Sequence, residues 1–183
     1  MWPCGSERPN ASTLNYAAGQ TIANLVVANA GDGGTVCLFT QQETDLVANI
    51  EGYVPVVSGY RPTVPSRLLE TRPHEQPTID GVASGIGKPA PGSVTSFPVT
   101  GRAGVPADPS AVVLTVTVTE PDGPGHVTVW PCGPARPVSS NVDYAAGQTV
   151  AGTVITMPGD GGAVCIYTHA AAHLVVDVNG YEL

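Results

Sequence analysis

His169, His173 and Asp177 fall four residues apart, a spacing that on a helix would put two imidazoles and a carboxylate on one face, ready for a metal. In a strand-turn-strand stretch the same spacing need not bring them together. The aligned positions of an earlier repeat hold Gln41, Asp45 and Asn49, so ordinary strand and hairpin residues are the expectation. Arg67, Glu70 and Arg72 crowd around Leu68 and Leu69. Their planar guanidinium forks could grip a carboxylate or a sugar; the plainer expectation is an ion pair stitching a sheet edge. Trp2, Trp130, Tyr16 and Tyr144 carry rings that could stack on sugars or pack beside the cysteines. Asp32 and Asp160 each bring a single carboxylate to a Gly-rich turn, too few oxygens for Ca²⁺. The sequence holds no P-loop, G-x-G-x-x-G or G-x-S-x-G pattern. Carboxylates are plentiful, yet no pair stands out as a glycosidase would need. No catalytic residue, metal or cofactor is expected, and the chain reads as a non-enzyme.

Composition says what must position these residues. Gly and Pro number 22 and 18 of 183, and only 12% of residues are charged. With many Val and Thr, that composition suits short strands joined by tight turns rather than helices. It is too apolar for a disordered chain. Seven basic residues stand against fifteen acidic ones, a net charge of −8, and the basic residues are scattered. Nothing could build the stripe that neutralises phosphates, so nucleic acid is a poor partner. No apolar run approaches the roughly 20 residues that span a bilayer, and membrane insertion is not expected. The opening Met-Trp-Pro-Cys-Gly has no basic or apolar signal-peptide region; for a secreted protein the targeting segment would lie upstream.

Residues 2–53 and 130–181 align without a gap at an offset of 128, with 26 of 52 positions identical. WPCG, YAAGQT, GDGG and a closing GY all recur in order, the mark of an internal duplication. Residues 67–183 read as a full β-sandwich unit, residues 1–53 as its C-terminal half alone, and residues 54–66, with three prolines, as a linker. Strands are expected near 93–99, 111–119, 126–130, 141–144, 149–157, 163–168 and 173–178. From Leu114 to Thr119 apolar residues alternate with Thr, the pattern of a half-buried strand. The GDGG at 159–162 reads as a hairpin turn. The fold class is all-β: a disulfide-stapled sandwich, of which the jelly roll is one form.

A half-unit exposes strand edges and apolar surface, so it must dock. It could pack on the full unit, take the middle segment from it, or be completed by strands of a neighbouring chain in a head-to-tail polymer.

Four cysteines allow three pairings. Both copies space theirs 33 apart, and duplication favours Cys4–Cys37 and Cys132–Cys165. Zinc is disfavoured because neither pair has C-x₂-C spacing; free thiols are the remaining alternative. Disulfides point to an extracytoplasmic home.

The series RLLETR, GRAGVPADPSAVVLTVTVTEP, HVTVWPCG, RPVSSNVDYAAGQTV, GDGGAVCIYT and HLVVDVNGY resembles a β-rich repeat of extracellular bacterial proteins, widespread in actinobacteria and related groups. It occurs in tandem arrays or appended to secreted enzymes. The resemblance covers 67–183 as a unit and 2–53 as its second half. It implies an extracellular or cell-surface accessory module and carries no catalytic or ligand residues with it. The function expected is a non-catalytic structural or adhesive repeat, a surface appendage or filament subunit assembling head-to-tail by strand complementation. Its partners would be further copies or other surface proteins. The alternative is a carbohydrate-binding module of a secreted enzyme, using Trp130, Tyr144 and the Arg67–Arg72 cluster on glycans.

Overall fold

Ten strands and two short 3₁₀ turns make up the regular structure of this computed structural model, which describes residues 1–20, 22, 24–48, 50, 53 and 59–183. The strands are β1 (Trp2–Pro3), β2 (Val36–Cys37), β3 (Tyr60–Glu70), β4 (Val94–Pro98), β5 (Ala111–Thr119), β6 (Gly125–Pro131), β7 (Val142–Tyr144), β8 (Val150–Thr156), β9 (Ala163–Thr168) and β10 (His173–Glu182). Those from β4 onward fall where strand propensity and turn residues place them, β5 and β9 to the residue. No helix among the described residues is long and apolar enough to cross a membrane.

Residues 60–183 fold as a β-sandwich of two four-stranded antiparallel sheets, ordered β3-β10-β5-β8 and β4-β9-β6-β7. The pairing has a simple logic. β6 pairs with β7, β5 with β8, β4 with β9 and β3 with β10. The unit is therefore one long antiparallel ribbon, bent back between β6 and β7 and wound so that β10 also meets β5 and β9 meets β6. That is a jelly roll. Leu68, Phe97, Leu114, Ile166 and Leu174 sit fully buried in the core between the sheets, each contributing roughly 1.5–3 kcal/mol.

Three expectations need correction. Residues 60–66 are not linker but the first half of β3, an edge strand in the sheet order; an edge tolerates Pro62 and Pro65 because an outward-facing position needs no N–H. Residues 54–58 of the expected linker lie outside the described residues. The GDGG at 159–162 does not close a hairpin, since β8 and β9 flank it in opposite sheets. Finally, β5 is buried on both faces. Val112, Leu114, Val116 and Val118 face the core, yet Thr115 and Thr117 are also only 2% and 4% exposed.

What covers the threonine face is the first copy. The Ser12 N–H donates to Asp177 Oδ2 on β10 at 3.0 Å, and Thr153 on β8 hydrogen-bonds the Leu25 carbonyl. Because β5 lies between β10 and β8, these two anchors straddle it. The half-unit thus rests on the outer face of the full unit's sheet. Of the strands its own repeat would supply, only β1 and β2 form among the described residues. Asn49 and Gly52, which align with Asp177 and Gly180, lie outside the described residues.

Candidate functional site

The feature both copies build in the same way is a disulfide corner. Cys132–Cys165 and Cys4–Cys37 are both bonded, and no described cysteine is free. Trp130 pairs with Cys165 and Pro131 with Val164, and Trp2 pairs with Cys37 and Pro3 with Val36 in the same register. The Trp130 Nε1–H donates to the Pro134 carbonyl at 3.1 Å, as Trp2 donates to Ser6 at 3.2 Å. The Arg136 guanidinium stacks 3.7 Å from the Tyr167 ring centre, as Arg8 does at 4.0 Å over Phe39.

The repeated glycines follow from this packing. The Asp160 N–H donates to the Cys132 carbonyl at 2.7 Å, which draws the 3₁₀ turn onto the cysteine backbone. A side chain at Gly159 would collide with that carbonyl. Gly133 adopts φ +112°, a region open mainly to glycine, and a Cβ there would meet the Asp160 carboxylate. WPCG and GDGG therefore recur because each motif closes against the other.

Arg67, Glu70, Arg72 and Asp177 form one ion-pair network on the outer face of the first sheet. Arg67 Nε donates to Asp177 Oδ1 at 3.0 Å and its Nη1 to Glu70 Oε2 at 3.1 Å. Arg72 closes a fork on Glu70, with Nε at 2.9 Å and Nη2 at 2.8 Å. The Arg67, Glu70 and Asp177 side chains are 8%, 1% and 1% exposed. In a regular strand, residues three apart point to opposite faces. Here the register slips by one residue, so that Asp177 opposes Arg67 while Val176 opposes Leu69. Leu68 is the extra residue of this β-bulge, and the bulge turns Arg67 and Glu70 to the same side. Burial pushes the Asp177 carboxyl up, against the Arg67 guanidinium and the Ser12 N–H that favour its charge.

His169, His173 and Asp177 do not converge. His169 stacks on His126, with ring centres 5.3 Å apart. His173 and Asp177 sit on the same strand four positions apart, about 13 Å along it. Among the described residues, no three His, Cys, Asp or Glu side chains are placed to share a metal ion. His173 instead bonds through Nδ1 to Thr71 Oγ1 at 2.9 Å, and the same hydroxyl accepts the Leu174 N–H at 2.9 Å. Burial, with Lys88 and Arg72 adding to it, holds the imidazole below its ordinary value, outweighing Glu120 and Glu70. A lowered folded value means that unfolding takes up a proton as pH falls below the ordinary histidine value of about 6.5. Stability is present above that pH and lost below it. Thermal melts at pH 7 and pH 5 should show a larger drop for the native chain than for His173→Gln; equal drops would remove His173 from the pH response.

Sequence reasoning passed over Arg102, which is buried and holds five acceptors. It donates to both Asp80 carboxylate oxygens, at 2.7 and 2.6 Å, and to the Leu68, Pro98 and Val82 carbonyls. This guanidinium is the main reason the Asp80 carboxyl drops to about 2. One arginine thereby ties the loop after β3 to the end of β4. Its partner lies 22 residues away, with no local pattern to announce it.

The remaining candidate rings are also occupied. Trp130 and Tyr144 are 7% and 5% exposed, and the Tyr144 hydroxyl bonds Thr168 Oγ1 at 3.2 Å. Trp2 and Tyr16 are half-buried, with the Tyr16 hydroxyl donating to the Gln42 carbonyl at 3.3 Å. An open cleft of about 490 Å³ separates the first-copy corner from β3, and among the described residues Asp32 is the one ionisable side chain lining it. Neither protein-family models, nor curated proteins, nor solved structures provide a match to this chain.

Proposed function

We propose that this chain is a non-catalytic structural repeat of an extracellular or cell-surface protein, serving as a length of stalk or appendage. One observation carries the reading. The side chains best equipped for chemistry are taken up by the fold: Arg67 and Arg72 pair with Glu70 and Asp177 in one network, and Trp130 packs against the buried Cys132–Cys165 pair. A groove built for a ligand leaves such groups partly unsatisfied and converging on a cavity. The two disulfides support an oxidising compartment. Adhesion to further surface proteins is part of the same reading.

A glycan array probed with the full chain tests it against the carbohydrate-binding alternative. No reproducible glycan signal is expected. Binding that disappears on Trp130→Ala, with β10 still protected from hydrogen exchange, would overturn the structural reading.

A further inference from the structure

We propose that the apolar face left open on the first copy is a docking site for a free front half of a repeat unit, a polypeptide carrying strands built like β3, β4 and β5. The inference deepens the structural-repeat reading and rests on it for the nature of the partner. It starts from the ribbon topology. Within residues 60–183, β8, β9 and β10 each pair with a strand from before the ribbon's bend: β8 with β5, β9 with β4 and β6, β10 with β3 and β5. None of the three pairs with another. A back half alone therefore cannot assemble its sheets.

The side chains record the same deficit. Ile166, Leu174 and Val178 are fully buried in one cluster with Leu68, Phe97 and Leu114 of the front strands. Their first-copy counterparts Leu38, Leu46 and Ile50 are 49%, 54% and 93% exposed. An apolar face of that kind marks an interaction surface, and unpaired strand backbone is completed by added strands.

Part of the receiving site is already set. The Cys4–Cys37 bond and the β1–β2 pair hold Val36 and Cys37 in the register their counterparts have in the complete unit. The full unit shows what seats there: Phe97 of β4 lies opposite Val164, the counterpart of Val36. A second copy of this chain is the poorer occupant, because its front strands are locked against its own β8, β9 and β10.

The test extends the chain by duplicating residues 59–128 ahead of Met1, which then takes the place of Val129. Hydrogen exchange is followed by mass spectrometry beside the unextended chain, with light scattering for mass. Amides at 46–48 should exchange about 100-fold more slowly in the extended chain, which should remain a monomer. Leu46→Asp in the extended chain should abolish that gain and leave 173–182 unchanged. Unaltered exchange at 46–48 beside a protected 173–182 overturns the proposal, whether the added segment stays unfolded or settles elsewhere. So does gained protection that survives Leu46→Asp. An unextended chain that dimerises and protects 46–48 by itself would name a second copy as the occupant and overturn it as well. None of these outcomes bears on glycan binding, so the structural reading stands or falls separately.

Discussion

Replacing Cys132 and Cys165 together by alanine is expected to lower the stability of residues 60–183 by about 3.7 kcal/mol. The estimate is the chain entropy released when a loop of 33 residues is no longer closed in the unfolded state. For a domain of this size, at roughly 4 °C per kcal/mol, the melting temperature should fall by about 15 °C. The effect has a structural side too. The disulfide sits in a buried cluster with Trp130, and β6 meets β9 through the Trp130–Cys165 register, so loss of the bond loosens the second sheet first. Removing Cys4 and Cys37 should leave that melting transition nearly unmoved, since the first-copy corner lies outside the sandwich core. Calorimetry of the two double variants measures both. A fall of less than about 3 °C for the Cys132/Cys165 variant would mean that the sandwich does not depend on its staple.

Arg67→Ala carries the second large effect, about 3–5 kcal/mol, the usual consequence of leaving a buried charge without its partner. Asp177 would keep only the Ser12 N–H among its charge-stabilising contacts, and Glu70 would keep Arg72. The loss should shrink at low pH. Burial already pushes the Asp177 carboxyl up; without Arg67 it accepts a proton more readily, and a neutral acid is tolerated where a carboxylate is not. In the linkage sense, a raised folded value favours the fold below the ordinary carboxylate value and costs stability as pH rises through the folded one. Urea unfolding at pH 7 and pH 4.5 would show this convergence. Arg67→Met with Asp177→Leu should recover part of the single-variant loss, because an apolar pair of similar volume often replaces a buried ion pair without penalty. A single variant costing under about 1 kcal/mol would place the pair among ordinary surface bridges.

The strand plan was legible because β5, β8, β9 and β10 alternate or run apolar between Gly- and Pro-rich turns, and periodicity reports that directly. The cysteine pairing was legible because duplication repeats a spacing. Local patterns failed wherever the deciding contact was distant. Thr115 and Thr117 read as a solvated face, and only the anchors at Asp177 and Thr153 show the first copy lying across it. Pro62 and Pro65 resembled a linker, because a sequence does not announce which strand will be an edge. The Leu68-Leu69 doublet was the visible trace of the bulge: two buried apolar neighbours break a strand's alternation. The ion pair within Arg67, Glu70 and Arg72 was legible from their closeness in sequence; that Asp177 opposes Arg67 and joins it was not, because it depends on the register of a strand 110 residues away. Gly159 and Asp160 carried turn chemistry honestly but not its destination, which is the backbone of Cys132, 28 residues away.

Residue-resolved hydrogen exchange of the unaltered chain in its oxidised form bears most directly on the division into a complete jelly roll and a back half resting on its outer face. Amides of β5 and β10 should exchange only through global unfolding, and those at 46–48, whose counterparts lie within β10, should exchange near the rate of open chain. Equal protection of 46–48 and 174–176 would contradict that division, and with it the claim that residues 46–48 stand outside any strand pairing in this chain.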